Sequence, residues 1–169
     1  MQISKELPQF SKRSIIVAAG SRSAKVFRAH SGEIELVDQL KIETLASYSD
    51  KESFFVRSGK GRTYGFGAVL EEKKKEFLAK FARELGDRIE KAFQEWSAES
   101  IYLFVPKHMK DLVPKRFSSE VKKSVVLLIE GNFVDKHPFD LLKIIMEKVD
   151  KKKPLTISEK VKNLLTKKR

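Results

Sequence analysis

The stretch Arg57–Gly67, RSGKGRTYGFG, gathers four of the chain's eight glycines with three cations and two aromatic residues. Arg57, Lys60 and Arg62 are suited to phosphates, and Tyr64 and Phe66 can stack on unpaired bases. The glycines allow close backbone approach to a ligand. Two nucleotide-binding motifs are nevertheless ruled out. A Walker A loop, G-x-x-x-x-G-K-[ST], fails because Gly61 follows Lys60 and Phe54 stands where the first glycine is needed. The dinucleotide fingerprint G-x-G-x-x-G, begun at Gly59, meets Tyr64 at its third glycine. Two readings remain: an RNA-facing loop, or a solvated crossing between two elements.

Other candidates for chemistry are weaker. His30, His108 and His137 lie far apart, without the helical spacing of a metal site, and His30 reads as a surface residue at a strand end. There is no G-x-S-x-G nucleophile turn and no cysteine. Neither catalysis, nor a metal, nor a cofactor is expected.

The elements around the glycine-rich stretch follow from apolar periodicity. Ser14–Ala19 (SIIVAA) reads as a buried strand, Ala24–His30 as the next, and Ser31-Gly32 as a tight turn into a strand over Glu33–Leu40. Ser53–Val56 fits a short strand or a packed loop. Phe77, Leu78, Phe81, Ala82, Leu85, Ile89, Ala92, Phe93 and Trp96 recur every three or four residues, which predicts a long amphipathic helix from about Val69 to Trp96. Glu71 and Glu72 would then sit in its first turn. Ser100–Val105 (SIYLFV) reads as a central strand ending at Pro106, and Lys107–Leu112 as a short helical turn. A strand over Ser124–Ile129 and a helix from Pro138 to about Val149 complete the pattern. An antiparallel meander followed by βαβ units implies a mixed α/β sheet flanked by helices.

The chain has 169 residues and a net charge of +12, with 41% hydrophobic and 34% charged residues. That suits one globular domain, here residues 1–149, followed by a basic tail over 150–169. Residues 151–169 hold eight Lys/Arg against one Glu, which leaves +5 for the first 150. Within the tail, Thr156 and Glu159 fit a capping box for a short helix. Lys151, Lys152, Lys153, Lys167, Lys168 and Arg169 would add electrostatic affinity for RNA, an acidic protein or an anionic membrane surface. Lys73, Lys74 and Lys75 would extend a phosphate-tracking surface from the glycine-rich stretch, or form an ordinary solvated face. No apolar segment reaches the length of a membrane span and the N-terminus lacks a signal-peptide core, so a cytoplasmic location is expected.

The succession SIIVAAGSRSAKVFRAHSGEIELV, the basic glycine stretch, EFLAKFARELGDRI, SIYLFVPKHMKDLVPKRF and SVVLLIEGNFVDKHPFDLLKII resembles the bacterial host-attachment protein family. That family in turn looks like the central domain of archaeo-eukaryotic release factors and Pelota. The likeness covers about residues 13–148 and rests on the order of blocks. It implies a ribonuclease-H-like mixed sheet and a ribosome or structured RNA (tRNA or rRNA) as partner. Release factors carry a Gly-Gly-Gln motif before the long helix. The matching residues here are Gly65-Phe66-Gly67, without the glutamine, so the resemblance implies binding without peptide release. A metal-dependent nuclease on the same fold is the alternative, although neither SIIVAA nor SIYLFV contains a carboxylate. A protein-interaction module working through the tail, with an indirect effect on host attachment, is another.

Overall fold

The computed structural model describes residues 1–42 and 66–152, with side chains for 1–42 and 75–149. Ser53–Val56, residues 57–65 of the glycine-rich stretch and the tail beyond Lys152 lie outside the described residues.

Six consecutive buried residues form β1, Ser14–Ala19. An uninterrupted apolar strand needs cover on both faces, and so takes the middle of a sheet. A turn at Gly20–Arg22 leads into antiparallel β2, Ser23–His30, which pairs with β1 from Ala24 to Ala29. Ser31 and Gly32 both take positive φ, 48° and 78°, the conformation a two-residue hairpin needs to match strand twist. Antiparallel β3, Glu33–Lys41, follows. Helix α1, Phe66–Glu95, then crosses to β4, Ser100–Val105, which lies parallel to β1 with Ser14 opposite Ser100. A crossover over residues 107–123 leads to the last strand. It contains 3-10 turns at Lys107–Met109 and Pro114–Arg116 and a short helix α2, Ser119–Lys123, capped by the Ser118 hydroxyl, which accepts from Val121 N–H at 3.4 Å. Strand β5, Val125–Glu130, pairs parallel to β4, and helix α3, Pro138–Lys152, runs back. The order β3-β2-β1-β4-β5 with only β2 reversed is the mixed sheet that the sequence pattern suggests, in the ribonuclease-H-like form that the family resemblance implies.

Side chains alternate between two buried layers. Ile15, Val17, Leu103 and Val105 pack with Phe81, Leu85, Ile89 and Phe93 of α1 and with Met109, Val113, Phe117 and Val121 of the crossover. Ile16, Ala18, Phe104 and Ile129 pack with Leu141, Leu142 and Ile145 of α3 and with Ile3 of the N-terminal segment. Among the described residues, only Ser14 and Ser100 are polar and buried; their hydroxyls lie 2.7 Å apart, and Ser14 Oγ donates to the Lys12 carbonyl at 3.0 Å. A satisfied buried pair of this kind costs little.

Several boundaries differ from the sequence reading. Helix α1 starts at Phe66, three residues earlier than expected, so Phe66 and Gly67 belong to the helix. Glu71 and Glu72 therefore sit in the second turn, and the first turn has no acidic residue. The helical turn expected over Lys107–Leu112 is a three-residue 3-10 turn, and α3 continues through Lys152.

Gly86 stands in mid-helix, where glycine costs about 1 kcal/mol relative to alanine. Its place is set by the crossover: a Cβ there would lie 2.7 Å from Arg116 Cβ. That atom is tied to a short 3-10 turn and cannot swing aside. Gly86→Ala is expected to lower stability by about 1–2 kcal/mol despite its better helix propensity. Urea denaturation checks this; a variant more stable than wild type would mean that the crossover yields freely.

Candidate nucleic-acid interface

Strands β1, β3, β4 and β5 end at the same edge of the sheet, where open α/β sheets place their ligands. The edge is built from the Gly20–Arg22 turn, the end of β3, the start of the crossover and the Gly131–His137 loop. Ile42 N–H donates to the Arg22 carbonyl at 2.9 Å, and Gly131 N–H to the Val105 carbonyl at 2.9 Å. A Cβ at Gly20 would lie 3.0 Å from Val134 Cγ1 and 3.1 Å from Asn132 Oδ1, so the ends of β1 and β5 are closed tightly against each other. Ser21 Oγ lies 3.4 Å from His108 Nε2. His137 Nδ1 accepts from Phe139 N–H at 3.3 Å, which satisfies an open donor at the start of α3.

The long helix points its N-terminus to this edge. Its C-terminal end is anchored at the opposite one, where Glu99 N–H donates to the Arg13 carbonyl at 2.8 Å just before β1. A 30-residue helix is about 45 Å long. Among its described side chains, from Lys75 onward, the fully buried ones run from Phe81 to Phe93, about 18 Å, matching a six-residue strand of about 20 Å. Residues 66–80, about 22 Å of helix, precede that packed stretch. Phe77 and Leu78, expected on the apolar face, are only half-buried there.

The proposed RNA-contacting residues are distributed accordingly. Phe66 is the first residue of α1, and Lys73, Lys74 and Lys75 occupy its second and third turns, with Lys75 exposed. Lys151 and Lys152 form the end of α3. Arg57, Lys60, Arg62, Tyr64, Lys153, Lys167, Lys168 and Arg169 lie outside the described residues. The three histidines stay apart. His30 is half-buried rather than a surface residue, with its Nδ1 buried and unpaired and its ring edge-on to Trp96, 6.5 Å between centroids. Among the described residues no group of three or more His, Asp or Glu side chains could share a metal ion, and no helix is long and apolar enough to cross a membrane.

Charge on the two flanks of α1 is handled differently. Toward β3, Arg88 donates to both carboxylate oxygens of Asp38 at 2.8 and 2.9 Å and to Glu84 at 3.2 Å. Asp38 first, then Glu84, pushes the Arg88 pKa above its ordinary value, so this cation is neutralised in place. Toward the crossover, Arg83 is exposed and Arg116 packs over Gly86, and neither has an ion pair among the described residues. Sequence reasoning passed over this side. The signal was available: residues 107–123 carry six Lys/Arg against Asp111 and Glu120.

The fold, strand order and helix placement define an α/β protein of the ribonuclease-H-like class, with an open sheet of five strands among the described residues. The family described as "Protein required for attachment to host cells" matches residues 15–145, and this chain belongs to it. No curated protein matches the sequence. Among solved structures, the archaeal translation termination factor aRF1 is similar at 10% identity and a TM-score of 0.47, over 82% of this chain and 40% of that one. An archaeal protein is similar at 8% identity and a TM-score of 0.46, over 84% of this chain and 40% of that one. The chain thus spans 40% of the length of either.

At the edge itself, Lys110 Nζ donates to Glu130 Oε1 at 2.6 Å. The hydrogen bond and charge of Lys110, helped by the charge of Lys107, hold the Glu130 carboxyl below its ordinary pKa. A depressed carboxyl contributes stability above the usual glutamate range and loses it as pH falls through the shifted value. Lys110→Gln is expected to move the Glu130 midpoint up toward that of a free glutamate, read by NMR titration of its carboxyl carbon. An unmoved midpoint would assign the depression to another group.

Proposed function

We propose that this protein binds RNA, and specifically the structured RNA of the ribosome, in the cytoplasm and without catalysis. What carries this is the start of α1 at Phe66, directly after the basic glycine stretch. A helix N-terminus offers unpaired N–H groups and a positive dipole end, and Arg57, Lys60 and Arg62 precede it by nine residues or fewer. The three cations contact phosphates, Tyr64 and Phe66 stack on unpaired bases, and Lys73, Lys74 and Lys75 extend the track along the helix. The tail cations add affinity that depends on salt. The net charge of +12 agrees with a polyanionic partner. Strands β1 and β4, where a metal-dependent nuclease would need carboxylates, are apolar apart from Ser14, Ser100 and Tyr102. A role in host attachment then follows indirectly, through RNA or translation.

Co-sedimentation with ribosomes on sucrose gradients tests this, using the full chain, a chain ending at Lys152 where α3 ends, and the Arg57→Ala/Lys60→Ala/Arg62→Ala variant. At low salt the full chain and the shortened chain should migrate with ribosomes, while the triple variant stays near the top with an unchanged thermal melt. A full chain that remains at the top even at low salt overturns the proposal.

A further inference from the structure

Charge in the described fold is concentrated in one element. The crossover over residues 107–123 has a net charge of +4, where the first 150 residues together carry +5. It begins where β4 ends and finishes where β5 begins, so it traverses the sheet from edge to edge, about 20 Å for six-residue strands. Met109, Val113, Phe117 and Val121 recur every four residues and are buried against α1 and the sheet. That spacing turns the intervening cations outward. Lys115, Arg116, Lys122 and Lys123 are exposed, and no ion pair among the described residues engages any of them. Exposed Arg83 of α1 lies one turn before Gly86, over which Arg116 packs, and extends the patch. Of the carboxylates nearby, Glu90 accepts from Ser118 N–H at 3.3 Å, and Glu120 belongs to the first turn of α2.

We infer that this crossover is a binding surface for the sugar-phosphate backbone of double-helical RNA. Building on the RNA-binding function proposed above, it adds a second contact remote in sequence from the glycine-rich stretch. Four unpaired cations set in succession along the second half of the crossover match a row of phosphates rather than a single anion. Around the unpaired cations the surface also lacks the means to hold single strands: Phe117, the aromatic ring of residues 110–123, is buried, and the exposed His108 ring stands apart at the start of the crossover, 3.4 Å from Ser21 Oγ. A duplex offers its phosphates at fixed spacing with its bases already stacked, and shape and charge suffice to bind it.

Fluorescence anisotropy of the full-length protein, with an RNA duplex of about 16 base pairs and one of its single strands as probes, tests this over a range of salt. The Lys115→Ala/Arg116→Ala/Lys122→Ala/Lys123→Ala variant should lose about tenfold or more in duplex affinity, with a log–log salt slope shallower by about three. Its melt should match wild type, because all four side chains are on the surface and alanine keeps the Arg116 Cβ over Gly86. Lys115→Arg/Lys122→Arg/Lys123→Arg should retain wild-type binding. Unchanged affinity and slope in the alanine variant, alongside lost binding in Arg57→Ala/Lys60→Ala/Arg62→Ala, would overturn the crossover surface and leave the RNA-binding function standing. Equal loss for duplex and single strand would overturn the preference for duplex. A wild-type protein that binds neither probe at low salt would overturn the surface and the proposed function together.

Discussion

Parallel pairing of β1 with β4 is the constraint on which the molecule depends. It joins the antiparallel meander to the βαβ half, with Ser14 opposite Ser100 and Ala18 opposite Phe104. Both strands are covered on both faces, so no charged side chain is placed along them. The polar chemistry of the fold is thereby moved to the strand ends and the outer surfaces of the helices. Parallel pairing also demands a long return path, and α1 provides it with more length than the sheet needs. The surplus helix, residues 66–80, precedes the stretch that packs on the sheet.

Among the described residues the sheet ends in two edge strands, β3 and β5, and each is interrupted. Between Val26 and Phe27 of β2 the partner strand β3 steps past Val37, and between Ile101 and Tyr102 of β4 the strand β5 steps past Val126. These bulged residues are 40% and 48% exposed, and Leu36 beside the first is 47% exposed. A bulge twists an edge away from the flat geometry that another strand would pair with, so the irregularities protect both sides of the sheet from edge-to-edge association. Apolar side chains left in solvent at these positions are a consequence of the register shift.

Electrostatics divide along α1. On its β3 flank Arg88 is engaged by both Asp38 and Glu84, so that cation is not left free. Its other flank meets the crossover through Gly86, a residue without a side chain, and this lets the Pro114–Arg116 turn approach closely. Close approach holds the crossover's apolar residues in the core and leaves its cations facing out. An internal glycine that weakens the helix intrinsically is thus what seats a basic layer on it.

Much of the fold was legible in the sequence because its signals are local. SIIVAA read most simply as a buried strand and SIYLFV as a central one, Ser31-Gly32 as a tight turn, and the stripe from Phe77 to Trp96 as a helix with one apolar face, of which Phe81 to Phe93 is the fully buried part. The helix start was less legible: no acidic residue marks its first turn, and Gly65-Phe66-Gly67 reads as loop, yet the helix begins at Phe66. His30 looked like a strand-end surface residue, but it is half-buried, with the Trp96 ring, distant in sequence, edge-on beside it. By itself the sequence determined the element types, the mixed sheet and the basic character of the chain, since propensity, periodicity and composition act over short range. Only the tertiary structure decided which cations are neutralised and which remain open. Ion pairing depends on which distant carboxylates the sheet and helices bring within a few ångströms, as with Asp38 and Arg88, and periodicity along the chain carries no information about that.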